Sequence, residues 1–436
     1  MLRLTYSLLM YALVPLLRVR LLWRSRMEPG YQIKVAERFG HYSSPLPGPL
    51  ADSLTAVPPV TPLIWIHAVS LGETRVASVL IERLRRDLPG MRLLLTHGTA
   101  TGRREGERLL RAGDLQVWQP WDTPGAVWRF LLHFKPTLGV LMETEVWPNL
   151  VAACAAAGVP LALANARMSE KSLRKARRLA WLSGPAFRGL RAVWAQTEDD
   201  ASRLRSLGAP VQGVFGNLKF DASPDASQLA LGRAWRSRLE RPVLMLASAR
   251  EGEEAALLGQ LRALGQGAGA VQWLIVPRHP QRFDEVAALI ADHGFSVSRR
   301  SDWGDGPSRP TPGAGATIWL GDSMGEMALY YGLSDAALLG GSFAPLGGQN
   351  LIEAAACACP VLMGPHTFNF AEAASLALQA GAALRSADMQ QALAQALQLA
   401  LDDMRLMQMR EAAVAFSESH RGATARTAQA AQALIA

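Results

Sequence analysis

Gly340 to Glu353 reads GGSFAPLGGQNLIE, a glycine-rich turn that leaves an apolar, strand-like stretch (AALLG) and enters an apolar, helix-like one. Strand, turn and helix in that order form the repeating unit of a parallel α/β sheet, whose ligands bind at the carboxyl ends of the strands. Unpaired N–H groups at a helix start attract phosphate, and glycines admit a ligand close to the backbone. Glu353 in the first helical turn can accept hydrogen bonds from ribose hydroxyls. The same residues also close a helix that binds nothing, because Asn350 and Glu353 are spaced as a capping box.

Three other stretches repeat the layout. Ser70-Leu71-Gly72-Glu73, Ser248-Ala249-Arg250-Glu251 and Ser323-Met324-Gly325-Glu326 each place a cap-forming residue, then Glu three positions on, directly after an apolar run. The recurrence predicts four capped strand-to-helix turns. Capping does not require the small, glycine-bearing surroundings of Glu73, Glu326 and Glu353, which leave the backbone open to a ligand.

Between these turns, LIWIHAV, RLLLTH, LGVLM, LALANA and AVWAQT read as buried strands separated by room for helices, and VLMLAS, WLIVP, TIWLG, AALLG and PVLMG resume the rhythm. A chain of 436 residues exceeds one ordinary core, so the pattern predicts two similar α/β domains with a ligand cleft at their strand ends. Residues 63–216 form the first domain. A polar, Pro-containing stretch at 217–241 is the linker, and 242–436 forms the second domain with a long helical end. Residues 27–62 read as a linker and lead-in, richest in Pro and Ser from Pro45 to Pro62, and Trp303 to Gly315 as an exposed loop.

Hydrophobic residues make up 49% of the chain and charged residues 19%, the composition of a folded protein. The net charge of +8 admits nucleic acid, an anionic membrane or an acidic small substrate as partner. Cys154, Cys357 and Cys359 have no zinc-like spacing and read as packing residues of a reducing compartment. Leu4 to Leu17 is apolar without a break and Arg18, Arg20, Arg24 and Arg26 follow. Residues 1–26 therefore read as a membrane anchor with the downstream chain on the cytoplasmic side, or else as a buried core helix. No small-residue cleavage site follows this segment. Arg167 to Arg191 carries eight basic residues against Glu170 at helical spacing, either a solvated face or a surface for anionic lipid. Nucleic acid is disfavoured as a partner, because aromatic residues do not interleave with these charges.

Candidate chemistry gathers at further strand ends. Pro277-Arg278-His279-Pro280 puts a cation and an imidazole where a phosphate or carboxylate would sit. Glu143-Thr144-Glu145 places two carboxylates on one face if the strand persists, and such pairs can raise one pKa. Asn217-Leu218-Lys219 brings a lysine beside the interdomain stretch. For each, an ordinary solvated loop accounts for the residues equally simply.

Taken in order, HAVSLGE, METEVWPN, GNLKFD, PRHP, GDSMGE and GGQNLIEA resemble the bacterial 3-deoxy-D-manno-octulosonic acid (Kdo) transferases of lipopolysaccharide assembly, from the N-terminal anchor to the last helix. The resemblance implies the GT-B architecture, two Rossmann-like domains facing across a cleft, with CMP-Kdo as donor. It implies as acceptor the lipid A precursor (lipid IVA) at the cytoplasmic face of the inner membrane. It makes Glu73 the general base, with Glu143 and Lys219 supporting the transition state. Arg278, His279, Met324, Gly325, Glu326, Asn350, Leu351, Ile352 and Glu353 become the CMP-binding positions. No cofactor and no metal is implied: helix N-termini and cations can carry the departing phosphate, and direct displacement by one base inverts the sugar carbon. Ser248-Ala249-Arg250 departs from the family's Ser/Thr-His pair, which leaves a donor contact from that turn open. The rival readings are another GT-B enzyme, a UDP-sugar transferase or an epimerase, and a membrane-attached nucleotide-binding scaffold.

Overall fold

The computed structural model describes residues 2–43, 61–307 and 316–435. The chain divides into two compact units, Met1–Asp221 with Arg421–Ala436, and Ala222–His420. The first unit runs α1 (Leu2–Met27), β1 (Leu63–His67), α2 (Leu71–Asp87), β2 (Arg92–His97), α3 (Ala100–Glu107), β3 (Leu115–Trp118), α4 (Pro124–Phe134) and β4 (Leu138–Met142). It continues with α5 (Pro148–Ala156), β5 (Leu161–Ala166), α6 (Glu170–Arg178), α7 (Ala180–Arg188), β6 (Ala192–Ala195), α8 (Glu198–Arg205) and β7 (Val211–Val214). Its seven strands are ordered β3-β2-β1-β4-β5-β6-β7, and every pairing is parallel.

Strand β1 shows why these residues make a central strand. All five of its residues are buried, and alternate side chains enter opposite cores. Leu63 and Trp65 pack with Leu94, Phe130 and Leu141 on one face. Ile64 and Ile66 pack with Val76, Leu80, Ile81 and Leu84 of α2 on the other. Each such side chain contributes ~1.5–3 kcal/mol by burial.

The second unit runs α9 (Ala226–Arg236), β8 (Val243–Ala249), α10 (Glu253–Leu264), β9 (Gln272–Pro277), α11 (Phe283–Asp292), β10 (Ser296–Arg299), β11 (Thr317–Leu320) and α12 (Met327–Leu333). It continues with β12 (Ala336–Leu339), α13 (Leu351–Ala356), β13 (Val361–Met363), α14 (Ala371–Gln379), β14 (Ala383–Arg385), α15 (Met389–Ala400) and α16 (Asp403–Ser419). The sheet is again parallel, in the order β10-β11-β9-β8-β12-β13-β14. In each sheet the first strand has its successors on both sides, so the chain reverses its winding there. The switch lies between β1 and β4 in one unit and between β8 and β12 in the other, where ligands of doubly wound sheets bind.

The boundaries differ from the sequence reading in three places. The 217–241 stretch is not a free linker: Leu218 and Phe220 are buried in the first unit, and α9 packs on α12 of the second. The last helix, α17 (Ala423–Gln432), returns to the first unit and buries Ala423, Ala428 and Ala431 in the core of β1 and α2. Its entry is fixed by Asp221, whose carboxylate accepts the N–H groups of Gly422 and Thr424. Residues 29–39 are packed rather than a lead-in, with Tyr31, Glu37 and Arg38 buried. Most of the Pro45–Pro62 segment, and residues 308–315 of the expected exposed loop, lie outside the described residues. Trp303, the first residue of that loop, is buried against Trp235 and Trp319, contrary to expectation.

Helix α1 is long and apolar enough to cross a membrane, yet one side of it is tied to the first unit. Tyr6 donates to Asp122 at 2.9 Å, Ser7 to Asn149 at 2.9 Å, and the Gly125 N–H to the Tyr11 hydroxyl at 3.0 Å. The opposite side, with Leu8, Leu16, Val19 and Trp23, is exposed. The basic stretch after Arg167 forms two helices, α6 and α7, which meet at the exposed Leu179 and Trp181.

Candidate active site

Glu73 sits just past the switch point of the first sheet. Ser70 ends the loop after β1 with extended backbone, and its hydroxyl accepts the Glu73 N–H, so α2 starts as the sequence predicts. The carboxylate turns back over that cap: Oε2 accepts the Val69 N–H at 2.8 Å and Oε1 the Ser70 hydroxyl at 3.0 Å. Burial pushes its pKa up to about 7. The Val69 N–H opposes that shift, while Glu143 and then Glu145 add to it.

Glu143 arrives from the neighbouring strand end, but not as expected. Strand β4 stops at Met142, and Glu143 takes a left-handed backbone with φ of 59°. Its N–H bonds Ala164 and its carbonyl accepts from Arg167. Glu143 and Glu145 therefore do not share a strand face. Glu145 accepts from the Trp147 indole at 3.1 Å, and burial raises its pKa, with Glu143 adding to the effect. Three carboxylates thus act on one another at this end of the sheet.

Lys219 lies on a 3₁₀ turn, Leu218–Asp221, that packs on α2. The turn is held by Asn165, a residue the sequence reading missed. Asn165 is buried at the end of β5 with φ of 52°, and its Oδ1 accepts the Leu218 N–H at 3.0 Å. Left-handed backbone at two non-glycine residues on adjacent strand ends marks stored strain of the kind functional sites carry. A visible signal existed: Asn is the residue most tolerant of that conformation, and LALANA places one at a strand end.

In the second unit, Arg278 and His279 follow β9, and the Arg278 N–H bonds the carbonyl of Ala249 at the end of β8. His279 has its pKa lowered, first by burial, then by Arg250 and Arg278, with Glu251 opposing. Arg250 therefore belongs to this cluster, and burial and the two arginines together disfavour the charged imidazole. The cap predicted at Ser248 does not form. Gly252, with φ of 91°, precedes α10, and Ser248 is itself left-handed at 53°.

The glycine-rich turn is built otherwise than its composition suggests. Glu253, 3% exposed, accepts the N–H groups of Gly341 at 2.7 Å, Phe343 at 3.1 Å, Ala344 at 3.4 Å and Arg250 at 2.9 Å. Three N–H groups of the glycine-rich turn are thus occupied by a buried carboxylate, while those at the start of α13 are not among its partners. Gly340 serves packing, since a Cβ there would stand 2.3 Å from the Ser248 carbonyl oxygen. Asn350 does cap α13, accepting the Ile352 N–H at 3.2 Å. Leu351 and Ile352 are each 1% exposed, which leaves only their backbone for a ligand. Glu353 stands half-buried in the first turn of α13, close enough to Tyr331 and Cys357 to raise their pKa values beyond what burial does.

Helix α12 begins at Met327, later than the capping pattern predicts. Glu326 precedes it, pairs with Arg300 at 2.9 Å and accepts the Ser323 hydroxyl. Gly325, with φ of 83°, faces open space, and Met324 is exposed. Within each unit, the site residues predicted from sequence thus collect at strand carboxyl ends around the switch point. A larger cavity of about 620 Å³, lined by Lys34, His41, Arg129 and His133 among others, contains none of them.

The family profile of the 3-deoxy-D-manno-octulosonic-acid transferases (kdotransferases) matches residues 34–222, most of the first unit apart from its N-terminal and C-terminal helices. The chain is 47% identical over 435 residues to the 3-deoxy-D-manno-octulosonic acid transferase of Bordetella pertussis, covering 98% of this chain and 97% of that one. It is 32% identical over 376 residues to the enzyme of the same name from Haemophilus influenzae, covering 85% and 84% of the two chains. Among solved structures, a glycosyltransferase from Rickettsia africae superposes with a TM-score of 0.56 at 13% identity, over 86% of this chain and 99% of that one. A UDP-GlcNAc 2-epimerase from Neisseria meningitidis gives 0.55 at 13% identity over the same shares. At that identity the two likenesses show a common fold, the two-domain GT-B architecture, and nothing of the reaction.

Proposed function

This chain belongs to the 3-deoxy-D-manno-octulosonic acid transferase family and is a glycosyltransferase of lipopolysaccharide biosynthesis, and from that premise we propose how its residues perform the transfer. The donor is CMP-Kdo and the acceptor a lipid A precursor, lipid IVA. Glu73 takes the proton from the acceptor hydroxyl as that oxygen attacks the anomeric carbon of Kdo. The bond from that carbon to the phosphate oxygen breaks, CMP departs with the electron pair, and the sugar carbon inverts. Arg278 and Arg250 offset the charge on the departing phosphate, so no metal ion is required. His279, Asn350, Glu353 and the Met324–Glu326 turn hold the rest of CMP, with Leu351 and Ile352 contributing backbone groups. Glu143 and Lys219 tune the field around the base.

The observation that carries this reading is the state of Glu73. A carboxyl whose pKa burial has raised to about 7 is poised to exchange a proton near neutrality, which a solvated capping glutamate is not. The exposed apolar side of α1 and the basic helix α6 support work at an anionic membrane surface, the cytoplasmic face of the inner membrane. Glu73→Gln is expected to abolish release of CMP from CMP-Kdo in the presence of acceptor while CMP affinity stays unchanged; near-normal turnover sinks the base assignment. Displacement of bound CMP by UDP at equal concentration would favour a UDP-sugar enzyme instead.

A further inference from the structure

Beside the proposed base, the first unit holds a cavity of about 400 Å³ whose wall is shared by α1 and the body of the unit. Helix α1 contributes Met10, Leu17 and Leu21, which are apolar, and Arg20 and Arg24, which are cationic. Arg38 faces them from the body. One cavity therefore offers an apolar wall and three guanidinium groups.

Arg38 is the informative member. It is 6% exposed and forms no ion pair among the described residues. Its guanidinium lies over the Trp118 ring at 4.0 Å, one Nη donates weakly to Gly98 at 3.4 Å, and its Nε is buried without a partner. The nearest acid in sequence, Glu37, is engaged by Arg103 at 3.0 Å. Two acids line the cavity and neither pairs with Arg38. Asp122 accepts from Tyr6, Asn149 and Leu150, and Glu145 accepts from Trp147. Burial, together with Arg103 and Arg24, holds Arg38 below its ordinary value at about 10, against opposing contributions from Tyr31 and Glu37. A buried cation without a counter-charge costs several kcal/mol, and an anion entering the cavity would remove that cost. Arginine forks bind phosphate in two-point fashion.

We propose that Arg20, Arg24 and Arg38 bind a phosphate monoester of an amphiphilic acceptor whose apolar part lies against Met10, Leu17 and Leu21, making α1 a wall of the acceptor site and not only an attachment to the membrane. The choice of acceptor rests on the transferase reading above. Val69, whose N–H is held by the Glu73 carboxylate, lines the same cavity, as does Glu145. A phosphate anchored there leaves the neighbouring sugar hydroxyl beside the base.

The test is equilibrium binding to the full chain in detergent micelles, which does not depend on turnover. The probes are an acylated disaccharide bearing a phosphate monoester, the same amphiphile without phosphate, and inorganic phosphate. The native chain should prefer the phosphorylated amphiphile about tenfold or more, the scale of one charge-assisted contact. Arg38→Gln, Arg24→Gln and Arg20→Gln should each shrink that preference towards one, with binding of the dephosphorylated amphiphile unchanged. Arg20 and Arg24 are exposed, so their variants report even if Arg38→Gln fails to fold. Equal binding of the two amphiphiles, or a preference untouched in Arg20→Gln and Arg24→Gln, overturns the proposal. Competition by inorganic phosphate at the amphiphile's own concentration overturns it in favour of a free-phosphate site. Absence of Kdo transfer by the native chain with either amphiphile would refute the transferase reading and leave this binding preference standing.

Discussion

Replacing Glu73 by Gln has a consequence for stability that is separate from catalysis and opposite in direction. The folded carboxyl titrates at about 7, against an ordinary value of 4.5, because burial disfavours its charge. That difference corresponds to ~3 kcal/mol favouring the protonated form in the folded chain. Below pH 4.5 both folded and unfolded states carry the proton and the residue contributes nothing to the pH dependence. Between about 4.5 and 7 the unfolded chain releases the proton and the folded chain keeps it, so stability falls as pH rises. Above about 7 the full cost of a buried carboxylate is present. Glutamine stays neutral throughout, and its carbonyl can still accept from Val69. Glu73→Gln should therefore match the native chain at pH 4.5 and exceed its stability at pH 8 by up to ~3 kcal/mol, less whatever water recovers at this half-buried site. Urea unfolding of both proteins from pH 4.5 to 8.5 measures the difference directly. Parallel curves would show that Glu73 is not desolvated, and the physical basis of its assignment would fall. The same titration predicts that native kcat/KM rises about tenfold from pH 6 to pH 8, as the ionised fraction of Glu73 climbs from about 0.09 to about 0.91.

Glu253→Ala strands the N–H groups of Gly341, Phe343 and Arg250 in a buried turn, and should lower stability by ~3 kcal/mol or more, read from the denaturant midpoint. An unchanged midpoint would mean the turn is not organised by that carboxylate. Glu254→Gln replaces a fully buried carboxylate at 2.6 Å from Arg282 by a neutral group while the Glu285 pair at 3.1 Å remains, and should cost ~2 kcal/mol, most of it recovered by the double variant with Arg282→Met. Asn165→Ala frees the Leu218 N–H and loosens the turn that carries Lys219. We expect kcat to fall about tenfold with CMP affinity unchanged, because CMP is assigned to the other unit; weakened CMP binding would contradict that division.

Most of the sheets was legible because central parallel strands are buried on both faces and spell continuous apolar runs. LIWIH, LGVLM, VLMLAS and AALL occur in the structure within a residue or two of where the pattern puts them. The strands the pattern did not reveal, β3, β7, β10 and β14, are the four sheet edges, and each is partly exposed. An edge strand has one open side, so its sequence (LQVW, VQGV, SVSR, ALR) carries polar or small residues and loses the signature. The capping pattern located Ser70 and Asn350 as caps, since an N-cap contact spans only two or three residues of chain. It misplaced the starts of α10 and α12, where a neighbouring arginine competes for the predicted glutamate: Arg300 takes Glu326, and Arg250 takes Glu251.

By itself the sequence determined the repeated strand-turn-helix order, the apolar N-terminal helix and the identity of the family, because each is written in local spacing or in an ordered set of motifs. Only the tertiary structure decided what those turns do. Whether a glycine-rich turn offers its N–H groups to a ligand depends on whether a carboxylate from another helix already occupies them, and Glu253 does. Whether Glu73 is a solvated cap or a carboxyl poised near neutrality depends on its burial and, beyond that, on the charges of Glu143 and Glu145, about 70 residues away in the chain. Burial and counter-charge are properties of three-dimensional neighbourhood, and no spacing along the chain encodes them.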